Sequence, residues 1–169
     1  MPIDVKPHAY DPGTSPELFE GVLARRVLAF AIDFVVIAIP IVLAAMFIFA
    51  FGVVTLGIGW ALYWILSPAS VIWAICYFGA TLGGPRSATI GMRMMDLEMR
   101  TWYGEPAYFV LGAMHAIAFW LTVSFFTPFI LLVCFFNQRR RLLHDIILGT
   151  VVINNAARAQ SLRMAGVHA

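Results

Sequence analysis

Asp33 is the strongest candidate for a functional residue, because it is the only charged side chain between Arg26 and Arg86. Seven residues of helix rise about 10.5 Å with little angular drift, so Asp33 lies on the same helix face as Arg26. A carboxylate in such apolar surroundings needs a partner, a water, a bound ion or a proton. We expect Arg26 and Asp33 to form a ligand- or ion-binding site; the alternative is a buried ion pair that only fixes helix packing.

A second polar group lies near the other end of the chain, where His144 and Asp145 follow three consecutive arginines at 139–141. Asp145 is expected to cap a helix or to accept a hydrogen bond from an arginine. A His–Asp pair also occurs in metal hydrolases, but such a site needs further ligands. Because no other His or Asp lies at a ligand spacing, we expect neither a metal site nor a cofactor, and we interpret His115 as a packed core residue.

The elements that position these residues are indicated by composition. Hydrophobic residues make up 62% of the 169-residue chain and charged residues 12%, whereas soluble domains average about 45–50% and about 25%. A soluble enzyme and a disordered chain are excluded, and a net charge of +2 is too small for a nucleic-acid footprint. No nucleophile elbow, phosphate loop or metal-binding helix motif is present, so we expect a membrane protein without enzymatic activity.

The apolar stretches predict an all-α integral membrane protein. Crossing a bilayer takes roughly 20 apolar residues, and the charge-free run at 34–85 accommodates two helices, at about 23–51 and 60–82. A third apolar segment, 106–138, is either one crossing or a re-entrant hairpin broken near Pro128. Residues 1–20 are expected to be a flexible polar leader, 21–154 the membrane domain and 155–169 a tail.

Charge and strand patterns predict which segments share a side of the membrane. Arginines near membrane ends stay in the cytoplasm, which places the N-terminus, residues 86–100 and residues 139–141 inside and favours a third segment that returns to its own side. Polar and apolar residues alternate from Asp96 onward, and residues 150–153 are β-branched. These two segments predict a small cytoplasmic β-pair, with an interfacial amphipathic helix as the alternative.

These motifs together resemble the RDD family of small membrane proteins, which is named for one Arg and two Asp. The resemblance rests on Arg26 with Asp33, on the Gly91-Met92-Arg93 element, and on the His144-Asp145 pair followed by Gly149-Thr150. It implies a membrane domain over about 21–154 in the bacterial inner membrane, and it adds Arg93 and His144 as secondary site residues. Many members carry an Arg near the start of the third segment, where this chain has His115.

Two functions fit these features. The first is transport of a small cation or solute, such as cation/proton exchange, in which Asp33 takes up the ion, Arg26 tunes its affinity and Asp145 lies at the cytoplasmic mouth. Because a few helices enclose little space, this function would require a homo-oligomer. The second is a non-transporting adaptor that binds or assembles other membrane proteins, in which Arg26, Asp33 and Asp145 fasten the helices.

Overall fold

The computed structural model describes residues 9–126 and 139–167. It contains two long helices, a short helix, a strand, a third long helix, another short helix, a second strand and a C-terminal helix. Their bounds are α1 Val22–Val54, α2 Tyr63–Leu82, α3 Ile90–Met94, β1 Leu97–Thr101, α4 Phe109–Phe126, α5 Leu143–Ile147, β2 Thr150–Asn154 and α6 Ala156–Val167. Single 3-10 turns precede α1 at Pro16–Leu18 and α2 at Ile58–Leu62.

Helices α1 and α2 are both long and apolar enough to cross a membrane. Their apolar stretches are almost entirely exposed on the surface of the protein, which water would not tolerate but lipid would. Pro40 and Pro68 lie inside these helices without ending them. The two helices that the sequence predicts as crossings are therefore present, and each begins and ends within three residues of the expected bounds.

The third apolar segment begins as α4, which packs mainly against α2. Glycines permit this close packing, because a Cβ at Gly112 would meet the carbonyl oxygen of Phe78 at 2.7 Å and one at Gly83 would meet the backbone of Phe109. Small residues have this role at many membrane-helix interfaces. The helix continues through Phe126, and the predicted break near Pro128 lies outside the described residues.

The predicted β-pair is confirmed. Strands β1 and β2 are antiparallel, with Leu97 opposite Asn154 and Thr101 opposite Thr150. Alternation places Leu97 and Met99 of β1 toward the membrane helices, where they form a core with Val22, Ala29, Leu82, Ala107, Leu111 and Val152. The sheet thus closes one end of the helix group, which we call the sheet end.

The opposite face of the sheet is covered by the segment expected to be a flexible leader. Phe19 packs with Val151 and Ile153, and the Asn154 side chain donates to the carbonyl oxygens of Glu17 and Glu20 at 2.8 and 2.9 Å. Residues 9–20 are therefore part of the fold, because β2 presents apolar side chains on both faces. The tail expected at 155–169 forms α6 over most of its length, and Arg163 pairs with Glu17.

Candidate functional site

Asp33 is buried and held by three uncharged donors. Its Oδ1 accepts hydrogen bonds from the Tyr77 hydroxyl at 2.5 Å and the Gly91 amide at 2.8 Å. Its Oδ2 accepts from the Thr89 hydroxyl at 2.6 Å. These donors come from α2 and from the start of α3, so the Asp33 carboxylate joins three elements that the sequence places far apart.

Local sequence explains how the donors reach Asp33. Thr89 is the N-cap of α3 and accepts a hydrogen bond from the Met92 amide at 3.1 Å, which fixes its hydroxyl beside the first turn. Gly91 lies directly against Ala29, one helical turn before Asp33, since a Cβ at Gly91 would meet the Ala29 carbonyl oxygen at 2.1 Å. Two small residues therefore bring the α3 backbone into hydrogen-bond range of α1.

Arg26 pairs with Asp145 and not with Asp33. Its guanidinium lies 2.6 Å from Asp145 Oδ2, with the two side chains 12% and 0% exposed. The same carboxylate oxygen accepts from the Leu142 amide at 3.0 Å, which caps the start of α5. The expectation that Asp145 caps a helix or accepts from an arginine is confirmed in both forms. Arg26 turns to the closer carboxylate because Asp33 lies two turns further along α1.

The other oxygen of Asp145 faces two imidazoles. Oδ1 is buried, has no hydrogen-bond partner among the described residues, and lies 3.5 Å from His144 Nε2 and 3.8 Å from His115 Nδ1. The His115 Nδ1 atom is also buried without a hydrogen bond in this part of the chain. The two rings meet edge to face at 4.7 Å between centroids. We call Asp145, His115 and His144 the His–His–Asp cluster.

Two members of the cluster lie outside the membrane-spanning helices, and the surroundings perturb both of their pKa values. Burial raises the pKa of Asp145, but the Arg26 guanidinium, together with the neighbouring His144 and His115, holds that pKa well below its usual range. Burial lowers the pKa of His144 to about 3. At neutral pH the cluster therefore holds a carboxylate and a neutral His144 imidazole, whose nitrogen lone pair is available to a cation.

Two further arginines have structural positions. Arg141 is buried and donates to the carbonyl oxygens of Thr150 and Asp145, both at 2.8 Å, while its guanidinium lies over the Trp102 ring at 4.2 Å. Arg93 is not part of either acidic site. It donates to the Ala88 carbonyl at 2.9 Å and lines a cavity of about 330 Å³ on the sheet end.

The structure pairs Arg26 with Asp145 and Asp33 with Tyr77, and not Arg26 with Asp33 as expected. The sequence shows no ligand spacing around His144 and Asp145, but the structure places His115, from the second turn of α4, beside both. Tyr77, Thr89 and the Gly91 amide were also missed as partners of Asp33. The useful signal was the polarity of Thr89, two residues before Gly91, which a helix N-cap would explain.

The model of the RDD family matches residues 21–149, a range that includes Arg26, Asp33, Gly91 and Asp145. No curated protein and no solved structure matches the chain significantly. The matched range covers most of the chain and contains both buried acids with the groups that hold them, and the protein belongs to the RDD family of membrane proteins.

Proposed function

We propose that the protein transports a small cation across the membrane and that the His–His–Asp cluster holds the ion. The observation that supports this proposal is the fully buried Oδ1 of Asp145, which has no hydrogen-bond donor among the described residues and faces two imidazole nitrogens. A buried anionic oxygen without a donor is costly, and a cation would satisfy it. Its position near the ends of α1 and α4 suits an ion that enters or leaves the membrane region.

In this proposal Asp33 has a structural role and does not bind the transported ion. Three donors point at its two oxygens, and the Gly91 amide cannot itself coordinate a cation. Arg26 has the tuning role predicted for it, but it acts on Asp145. Its ion pair occupies Oδ2 and orients Oδ1 toward the imidazoles, since a bound guanidinium restricts rotation of the carboxylate.

We further propose that the N-terminus and the sheet end lie in the cytoplasm of a bacterial cell and that a homo-oligomer completes the pathway. Charge bias supports the orientation, because arginines concentrate at the sheet end. The exposed apolar surface of α1 supports the oligomer, because large side chains such as Phe34, Met46 and Phe47 are more than 60% exposed and would face lipid or a second copy of the chain.

The transport proposal is tested in liposomes that contain a pH-sensitive dye. Purified protein is reconstituted, and internal pH is followed after pulses of Na⁺, K⁺ or Zn²⁺. We expect at least one cation to drive proton movement in the wild type, and we expect His115→Gln to abolish it while Arg26 and Asp145 remain paired. Transport that persists at the wild-type rate in a correctly folded His115→Gln variant would contradict the assignment of the ion to this cluster.

A second candidate function is a non-transporting adaptor, and one feature favours it. The sheet-end cavity is lined by Arg86, Arg93, Arg100 and Glu98 among its residues, which is a surface suited to an acidic segment of another membrane protein. Here the buried acids serve only to hold the sheet against the helices. This alternative predicts that Arg86→Gln reduces recovery of a cross-linked partner from membranes, with no cation flux in either the wild type or the variant.

A further inference from the structure

The identity of the three groups in the His–His–Asp cluster narrows the class of cation. Imidazole nitrogen is a ligand for zinc, copper, nickel and cobalt, whereas sodium, magnesium and calcium prefer sites made of oxygen. The three available ligand atoms are His115 Nδ1, His144 Nε2 and Asp145 Oδ1. Two of these three atoms are nitrogens. We propose that the cluster is a binding site for a divalent transition-metal ion, an inference that rests on the cation function proposed above.

The distances between the ligand atoms support this chemistry. A tetrahedral zinc site with bonds of about 2.0–2.1 Å places its ligand atoms about 3.4 Å apart. The two nitrogens lie 3.5 and 3.8 Å from the carboxylate oxygen, and the three ligand atoms all lie within 4.8 Å of one another. Small side-chain rotations would bring all three ligand atoms to coordination distance. The fourth position of the tetrahedral ion would then be open to water or to another ligand.

The surroundings of the cluster resemble those of metal ligands held by outer contacts. Arg26 and the Leu142 amide both bind Asp145 Oδ2, which leaves Oδ1 free to coordinate and fixes its direction. His144 packs edge to face against Phe119 at 5.4 Å between ring centroids, and this restricts the ring.

The test is metal binding by the full chain in detergent, without any flux. The chain has four histidines, so a control variant with His8→Gln and His168→Gln removes the two outside the cluster. We expect the control and the wild type to bind one Zn²⁺ per chain in calorimetry, and Co²⁺ to give the intense visible absorption of a tetrahedral ion. We expect His115→Gln and His144→Gln, made in the control, to weaken affinity at least about tenfold.

A further measurement keeps the proposal falsifiable if these variants fail to fold. X-ray absorption of the zinc-loaded control should give two imidazole ligands per zinc. Absence of stoichiometric binding, unchanged affinity in monodisperse His115→Gln and His144→Gln, or fewer than two imidazoles would each overturn the metal site. Cation-driven proton movement without zinc binding would support transport and contradict the metal site. Zinc binding without movement of any cation would support the metal site and contradict transport.

Discussion

The backbone of Gly91 lies against the carbonyl oxygen of Ala29, so that a Cβ atom at Gly91 would be only 2.1 Å from that oxygen. This contact determines how near α3 comes to α1. It also places the Gly91 amide 2.8 Å from Asp33 Oδ1. The packing of two small residues and the hydrogen bonding of a buried acid are therefore one arrangement, and neither can change without the other.

Replacing Gly91 by alanine should therefore separate α3 from α1. The new methyl group meets backbone, which cannot move aside as a flexible side chain would, so the Gly91 amide is pulled away from Asp33. We expect Gly91→Ala to destabilise the protein by about 1–3 kcal/mol, the cost of a buried polar group left without its partner, measured by SDS-induced unfolding in mixed micelles.

Gly166 provides the matched control for this substitution. It lies in α6 and has open space where a Cβ would be added. Alanine is favoured over glycine in a helix, so Gly166→Ala should leave stability unchanged or slightly raised. Equal stability of the Gly91→Ala variant and the wild type would contradict the close contact with Ala29.

The hydrogen bond between Tyr77 and Asp33 should be detectable as a coupling energy. Asp33→Asn replaces one acceptor oxygen by a donor and should cost about 1–3 kcal/mol, and Tyr77→Phe should cost less because it removes only one of three donors. The double variant should be less destabilised than the sum of the two single variants, since they remove the same bond. Strict additivity in this cycle would argue that the two side chains do not interact.

The Arg26–Asp145 pair should be the most sensitive ion pair among the described residues. Either Arg26→Gln or Asp145→Asn leaves the other charge without its main partner, which costs about 3–5 kcal/mol in buried pairs. The double variant should recover part of this loss in the same unfolding assay, because no isolated charge remains.

Arg163→Gln serves as the comparison for that prediction. Arg163 also pairs with a carboxylate, that of Glu17, but its side chain is 63% exposed. Exposed pairs contribute about 0–1 kcal/mol, so this variant should unfold close to the wild type. A loss at Arg26 no larger than that at Arg163 would show that burial does not strengthen the first pair.

The proposed orientation makes a labelling prediction. In a background with Cys76→Ala and Cys134→Ala, Ile58→Cys lies in the connection between α1 and α2, and Tyr103→Cys lies beyond β1; both positions are exposed. A membrane-impermeant maleimide should label the first in intact cells and the second only after lysis. Labelling of Tyr103→Cys in intact cells would contradict the proposed orientation. A reporter fused after Ala169 that is found outside the cell would contradict it as well.

The sequence was sufficient for the features that depend on one-dimensional pattern. The absence of charge between Asp33 and Arg86 predicted two crossings because hydrocarbon excludes charged side chains, and alternation after Asp96 predicted β1 because a strand has a period of two. Asp33 was identified as a candidate site residue because it is a lone acid in apolar surroundings, and Asp145 because it follows His144 and three arginines.

The pairings could not be predicted, because they depend on which helices are neighbours. Arg26 was expected to act with Asp33 since the two share a helix face, but the nearer partner is Asp145, brought in by a turn late in the chain. His115 was interpreted as a packing residue because nothing around it in sequence is polar. Only the position of α4 relative to α5 places its ring beside His144.

The two buried acids differ in when their partners are synthesised. Tyr77, Thr89 and Gly91, which satisfy Asp33, all precede β1 in the chain, so a nascent protein with only α1, α2 and α3 already contains every donor to this acid. Arg26 belongs to the same first helix, yet its carboxylate arrives with α5, after the third apolar segment. The partners of Asp33 are thus all present once α3 has been synthesised, whereas Arg26 gains its Asp145 partner only when α5 follows.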